Sequence, residues 1–568
     1  MRPARGSPIR PSCLLTIAAI VLLGAHAAAA SGAFSNSPHT ETIPAYGACD
    51  VTIDPDTALG TLKTLLNDPG KRVFCVEPGD YRAAGELFLT ASGTAQSRRF
   101  LRFAAHDGLR NAVQRPERAI FESLRLLGSW WVIQGLTIQP RDGMTAWFVT
   151  IYGGDHNVID GNLIDGIEHV PQLTSQNAVV VAGYNGDPAT WNTLQANVIR
   201  NGNQNRRPGD YEGILIAWGN TATETNDFNE ILDNEIYDWG DGVSVGGHTS
   251  DCSEPAIQSG TVIDGNDVYI TGAKRIDCST GASDPAGECA CAEEGISVKS
   301  RAGADAALWT RITRNRVWGL RPTSASANCG GTGANGQAIS AGSICPQHVL
   351  VSSNVVLDST QGVTAAGSSW IIAGNLVHDI RIAGPLGIAS TLAILPSAAA
   401  TDIQIEFNTV VDVDRAYDDQ SANTDTRCNA VINDHHTDNM ITGGIRGPNH
   451  STAYNFLYAA PAGEFLGSTN ESFSTAAESG NTEYCFWRKR WTSPERVCIP
   501  FANTTASSTH EASVASCNPD LLAPFGMEAV SYPSAPVPEP LAAWLGGASV
   551  FALGALARRR ARGSRRST

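Results

Sequence analysis

The stretch Cys291–Gly303, CAEEGISVKSRAG, gathers the residue types that a proton-transfer site needs. Strand alternation places Ile296 and Val298 on an inner face and Ser297 and Lys299 on the outer one. Lys299 is then an outward amine, and an amine relieved of its proton serves as a general base. Glu293 and Glu294 stand at the turn just before the strand, and carboxylates there offer the oxygen ligands that calcium takes. Acids recur at the same place in other strands. Glu212, Asp241 and Glu294 each directly precede a glycine that opens a strand, so a column is expected, with Asp241, Glu293 and Glu294 as candidate metal ligands. The plainer reading is a solvated lysine paired with Glu293 or Glu294, worth little to stability, beside turn acids that satisfy backbone N–H groups.

These residues need a scaffold, and the sequence repeats one. Eight segments place an asparagine between apolar residues: VIDGNLI, TLQANVI, EILDNEI, VIDGNDV, RITRNRV, LVSSNVV, IIAGNLV and QIEFNTV. Their asparagines are Asn162, Asn197, Asn234, Asn266, Asn315, Asn354, Asn375 and Asn408, spaced 21 to 49 residues apart. The shortest step suits one bare three-strand coil, and the longer ones suit coils with insertions. Stacked amides hydrogen-bond from coil to coil, which explains the fixed asparagine. A second strand type falls between them: AVVVAG, GILIAW, GVSVGG, GISVKS and GVTAAG. Gly242 follows Asn234, and Gly362 follows Asn354, by the same 8 residues, which places these strands in one stacked sheet. WWVIQGLTI (Trp130–Ile138) reads as an earlier coil without the asparagine. The expected fold is all-β, a right-handed parallel β-helix over roughly residues 45–430. A helix in Ala58–Leu66 caps its start, KRVFCVEPGDYR is its first strand and turn, and residues 431–530 form a disulfide-tied C-terminal cap.

This arrangement resembles the pectin-lyase-like superfamily of parallel β-helices. The local spacing is similar to that of the β-helix chondroitin and alginate lyases. In those enzymes a lysine five residues after a calcium-binding glutamate removes the sugar C5 proton, and a serine follows. The resemblance implies Glu294, with Glu293, as calcium ligands and Lys299 as the base. It also implies an arginine on the next stacked strand. That strand is expected at Gln337–Gly342 and has none, so Arg321, 22 residues after Lys299, is the nearest substitute.

The ends carry a different signal. Residues 1–30 have a basic start, an apolar run and AHAAAAS, the pattern of a secretory signal peptide. Residues 531–540 are a Pro-rich spacer, and 541–568 hold 17 apolar or small residues followed by an arginine cluster. Val537-Pro538-Glu539-Pro540, a short membrane segment and arginines together resemble the PEP-CTERM sorting signal. That implies transient inner-membrane anchoring, an exosortase-type processing enzyme as partner, and export to the surface of a Gram-negative bacterium. Setting aside the nine arginines of the ends leaves 31 basic against 56 acidic residues, a body that repels nucleic acid. Twelve cysteines remain beyond the signal segment, and in an exported chain they read as disulfides. Cys49–Cys75, Cys329–Cys345 and Cys498–Cys517 are the pairs suggested by proximity.

A glycoside hydrolase on this fold would show paired aspartates and a Gly-His-Gly; His248 sits instead in Gly-His-Thr. YCFWRKRW (Tyr484–Trp491) mixes rings with cations and suits either sugar stacking or a buried cap strand. DHH (Asp434–His436) is a metal-binding pattern without a third partner. Two function classes follow. One is a calcium-assisted lyase on uronate-containing extracellular polysaccharide. The other is a non-catalytic sugar-binding surface or matrix protein.

Overall fold

A buried amide must find partners, and here each asparagine finds them on the coils either side. The computed structural model describes residue 43 and residues 47–434 apart from 106–110, 142–146, 167–176, 203–211, 218–220, 222–223, 247–257, 273–291, 322–335, 382–393, 398–399, 407, 415–420, 422–423 and 428. Beyond 434 it describes 451–453, 456–458, 471–473, 483–489, 491–493 and 495–500. Asn315 shows the ladder's unit. Its Nδ2 donates to Asn354 Oδ1 at 3.0 Å and to the Ile263 carbonyl at 2.9 Å, while its Oδ1 accepts from the backbone N and the Nδ2 of Asn266. All eight expected asparagines lie on this one ladder, and Asn429 extends it by a coil. A shorter ladder, Asn157–Asn192–Asn229, runs at the other end of the same strands.

Strands join in the order of every third element, so each coil adds one strand to each of three sheets. Among the described residues two sheets have fourteen strands and one has ten, and their ladders are parallel. The chain is a parallel β-helix. Val243, Val245, Ile296, Val298 and Ile339 line the interior beneath the ten-stranded sheet, fully buried in one continuous core. No single coil could bury this stripe, so stacking is obligatory. Trp131–Gln134 and Thr137–Ile138 form the expected coil without the asparagine; Leu136 stands at its corner and donates its N–H to Asn162 Oδ1.

The cap helix forms at Leu59–Leu66 and buries Leu62 and Leu66. Three features differ from expectation. A strand, Val51–Ile53, precedes the one expected first, and the Cys49–Cys75 disulfide ties its start to Val73–Val76. The helix also runs past 430: Ala430–Asp434, Phe456–Tyr458 and Glu471–Phe473 continue one ladder. Weak apolar flanks hid these coils from the repeat, although Asn429 stands before the first of these strands and joins the ladder.

The third difference is the C-terminal pair Glu483–Arg488 and Glu495–Pro500. It is an antiparallel hairpin whose turn docks on the side of the solenoid. Buried Glu235 accepts from Trp491 N, Thr492 N, Thr492 Oγ1 and Tyr269 Oη. The Trp491 ring packs beside Leu163, Val198 and Tyr237. So YCFWRKRW is a strap over one fourteen-stranded sheet, and its Arg488 lies 5.7 Å from the Trp318 ring. The described disulfide pair is N-terminal. Cys485 and Cys498 are Cα partners in the hairpin register, and the suggested Cys498–Cys517 pair involves a residue outside the described ones. Cys345 is disulfide-bonded. Cys329, Cys428, Cys517, His248, His435, His436 and both chain ends, with the signal segment, spacer and PEP-CTERM pattern, lie outside the described residues. Among the described residues no helix is long and apolar enough to cross a membrane.

Candidate active site

The ten-stranded sheet turns the expected acids into a register column. Glu212, Asp241, Glu294, Gln337 and Gln361 are successive Cα partners on five adjacent strands. A glycine follows each of the three acids because the chain there passes hard against the interior. A Cβ on Gly295 would meet the Ala338 carbonyl oxygen and Val317 Cγ1, both at 2.5 Å. After Glu294–Val298 comes Lys299, pointing away from the core as alternation requires. Its aliphatic stem lies across Gly342 of the next coil, where a Cβ would come within 2.6 Å of Lys299 Cε.

Lys299, Asp241 and Glu294 converge. Lys299 Nζ is 3.6 Å from Asp241 Oδ2 and 3.9 Å from Glu294 Oε2, and the lysine side chain is only 13% exposed. Asp241 is fully buried; its Oδ1 accepts the Glu294 N–H at 3.1 Å. Ser340 Oγ donates to Glu294 Oε1, which leaves Oε2 facing the lysine. Thus an outward lysine is here a nearly enclosed one, not a solvated surface residue.

The electrostatics follow from that burial. Desolvation, then the charge of Glu294, pushes the Asp241 carboxyl well above its ordinary value, against the opposing pull of Lys299. Desolvation disfavours the Lys299 ammonium, but Asp241, Glu294, Glu212 and Glu293 together outweigh it and raise its pKa. The charge of each group shifts the other.

Arg321 lies elsewhere. Its guanidinium pairs with Asp358 at 2.6 Å and Asp379 at 2.9 Å, beside a fourteen-stranded sheet. Glu293 precedes the strand, half-buried, its N–H donated to the Gly240 carbonyl. Sequence reasoning missed Ser340 and Gln337. Aligning QAISAG beneath EGISVK by their shared Ile-Ser pair would have set Gln337 beside Glu294 and Ser340 beside Ser297.

Calcium takes six to eight oxygen ligands. Asp241 Oδ2 and Glu294 Oε2 are buried without a hydrogen-bond partner and face the Lys299 ammonium, which a bound cation would have to displace. Among the described residues no three acids, histidines or cysteines are grouped to hold a metal. Two carboxylates fit as part of a shell that substrate and water would complete.

No family model matches the sequence, and no curated protein matches it. Among solved structures, the PL6 family alginate lyase AlyGC is similar with a TM-score of 0.51 and 15% identity, over 83% of this chain and 58% of that one. A variant of the same enzyme gives a TM-score of 0.52 and 16% identity, over 84% and 58%. The periplasmic alginate epimerase AlgG is similar at a TM-score of 0.33 and 12% identity, over 75% and 82%. This chain spans 58% of the alginate lyase's length. The likeness to that lyase, at 15% identity, is one of architecture: this chain shares its parallel β-helix fold.

Proposed function

We propose that this protein acts on extracellular polysaccharide and cleaves a uronate-containing chain by β-elimination. The observation that carries the reading is the convergence of Lys299 Nζ on Asp241 and Glu294 at the outer face of the ten-stranded sheet. In the proposed step Lys299 takes the C5 proton of a uronate. The electrons of that bond form the C4–C5 double bond, and the C4–O bond breaks, its oxygen taking up a proton. Arg321, paired with Asp358 and Asp379, would have to exchange these partners to donate that proton.

A base must first be neutral, and the acids around Lys299 keep it charged. Calcium held by Asp241 and Glu294, with Glu293 at the preceding turn, would offset both these acids and the uronate carboxylate. The raised pKa of Lys299 also favours a second reading, a non-catalytic binding protein in which the ammonium pairs with a sugar carboxylate. An assay for unsaturated product over alginate, polygalacturonate and chondroitin, with and without a chelator, separates the two. The lyase reading expects product from at least one polymer, lost with Lys299→Arg. Polymer binding without product from any of them supports the second reading. Export, exosortase processing and inner-membrane anchoring belong to the same proposal, as they suit a protein meeting polymer outside the cell. Mass spectrometry of the secreted form tests them, and retention of Arg558–Arg566 would contradict processing.

A further inference from the structure

The ten-stranded sheet carries a second feature on the same outer face, toward its N-terminal strands. Phe88 and Arg125 are Cα partners on neighbouring strands, and Tyr152 ends the next strand. The Arg125 guanidinium lies 5.1 Å from the Phe88 ring and 5.4 Å from the Tyr152 ring, pinned by Glu86 at 2.7 Å. Tyr152 in turn stacks on Tyr184 with centroids 5.0 Å apart and planes 7° from parallel. Trp147 meets Tyr152 edge-on at 5.6 Å. Tyr184 opens a tight turn closed by paired backbone bonds with Asp187 and held by Gly186 N donating to Glu224 Oε1. The ring is therefore fixed, yet Tyr184 is 43% exposed and Phe88 39%.

Among the described residues the large hydrophobic side chains left widely exposed are Leu59, Phe88, Tyr184 and Ile344. Leu59 is on the cap helix. The other three lie on the ten-stranded sheet or in the turns that leave it, and Ile344 follows Ser343, whose Oγ donates to the Lys299 carbonyl. Apolar groups gathered on one face mark a ligand surface. Backed, rigid rings with phenol hydroxyls at the edge are what the apolar faces of sugars stack on. Register aligns the two sites. Tyr152, Ala182, Ala217, Gly246 and Lys299 occupy successive strands of one outward column, with only small residues between the tyrosine and the lysine. Four strand spacings are roughly 19 Å, a span of several sugar units.

We propose that Tyr184 and Phe88, braced by Arg125 and Tyr152, form a distal subsite for the same uronate polymer chain that reaches Lys299. The proposal deepens the polysaccharide reading and rests on it for the ligand class. The test is retardation of the full protein in gels containing alginate, polygalacturonate or chondroitin, beside the unsaturated-product assay. Wild type is expected to be retarded in at least one gel, with Tyr184→Ala about tenfold weaker and Tyr184→Phe unchanged. Unchanged retardation of Tyr184→Ala, or no retardation of wild type in any gel, overturns the subsite. Tyr184-dependent retardation without product from any polymer leaves the subsite standing and sinks the lyase step instead.

Discussion

A lysine Nζ 3.6 Å from one buried carboxylate and 3.9 Å from another is a different object from a surface lysine. Removing it takes away the cation that these acids share. Lys299→Ala should therefore cost about 3 kcal/mol in urea unfolding, the scale for breaking a buried pair rather than an exposed one. A loss under about 1 kcal/mol would mean the pair is solvated. Asp241 gives a pH signature. Its folded pKa is raised, so the folded state holds the proton where the unfolded chain, near 3.8, has released it. The stability from that proton is complete below the unfolded pKa and is lost as pH rises through the folded value. Asp241→Asn should flatten this fall, read as melting temperature while the pH is raised from below the unfolded value. Alternation alone made the outward direction of Lys299 legible, and the acid-before-glycine pattern made the column legible. Enclosure was not legible, because it depends on Gly342 and Ser340 from the next coil, 40 or more residues away. The place of Arg321 was hidden for the same reason: its partners Asp358 and Asp379 belong to two later coils.

At the scale of elements, the asparagine ladder joins coils that share no sequence contact. Asn315→Ala would take the Asn315 Oδ1 acceptor from the backbone N–H of Asn266 and the amide donor from the Ile263 carbonyl, while Asn266 Nδ2 keeps the Ile231 carbonyl. Each stranded buried group costs about 1–3 kcal/mol, so a loss of at least about 2 kcal/mol is expected in chemical unfolding. A nearly neutral result would mean the ladder is incidental. Eight rungs of the ladder were legible in the sequence because one residue type recurs between apolar flanks, whereas Asn429, between Cys428 and Ala430, was not. The C-terminal strap was not, since its anchor Glu235 is some 256 residues from Trp491. Aromatic and basic composition in YCFWRKRW suits a sugar platform and a buried strap equally. Glu235→Ala removes the acceptor of four hydrogen bonds. Hydrogen exchange over 483–500 should then rise by at least tenfold while the coils around Asn354 stay protected. Unchanged exchange would show that the hairpin is held by packing alone.

Among the described residues, one sheet face collects what the other two sheets do not. It bears the acid column, the enclosed lysine and three of the widely exposed hydrophobic side chains, on a chain whose formal charge is −16. A polyanion approaching such a body is repelled at long range. Productive binding therefore needs local compensation at that face, from Lys299, Arg125 or a cation. The central claim is that Lys299 acts as a base there and not only as a counter-ion. The most direct measurement compares unsaturated-product formation by wild type and Lys299→Arg on the same uronate polymer, after urea unfolding confirms that both are folded. Arginine keeps the positive charge but stays protonated, so a base role is lost while an ion-pair role survives. The account predicts product from wild type and none from Lys299→Arg; product at comparable rates from both would contradict it.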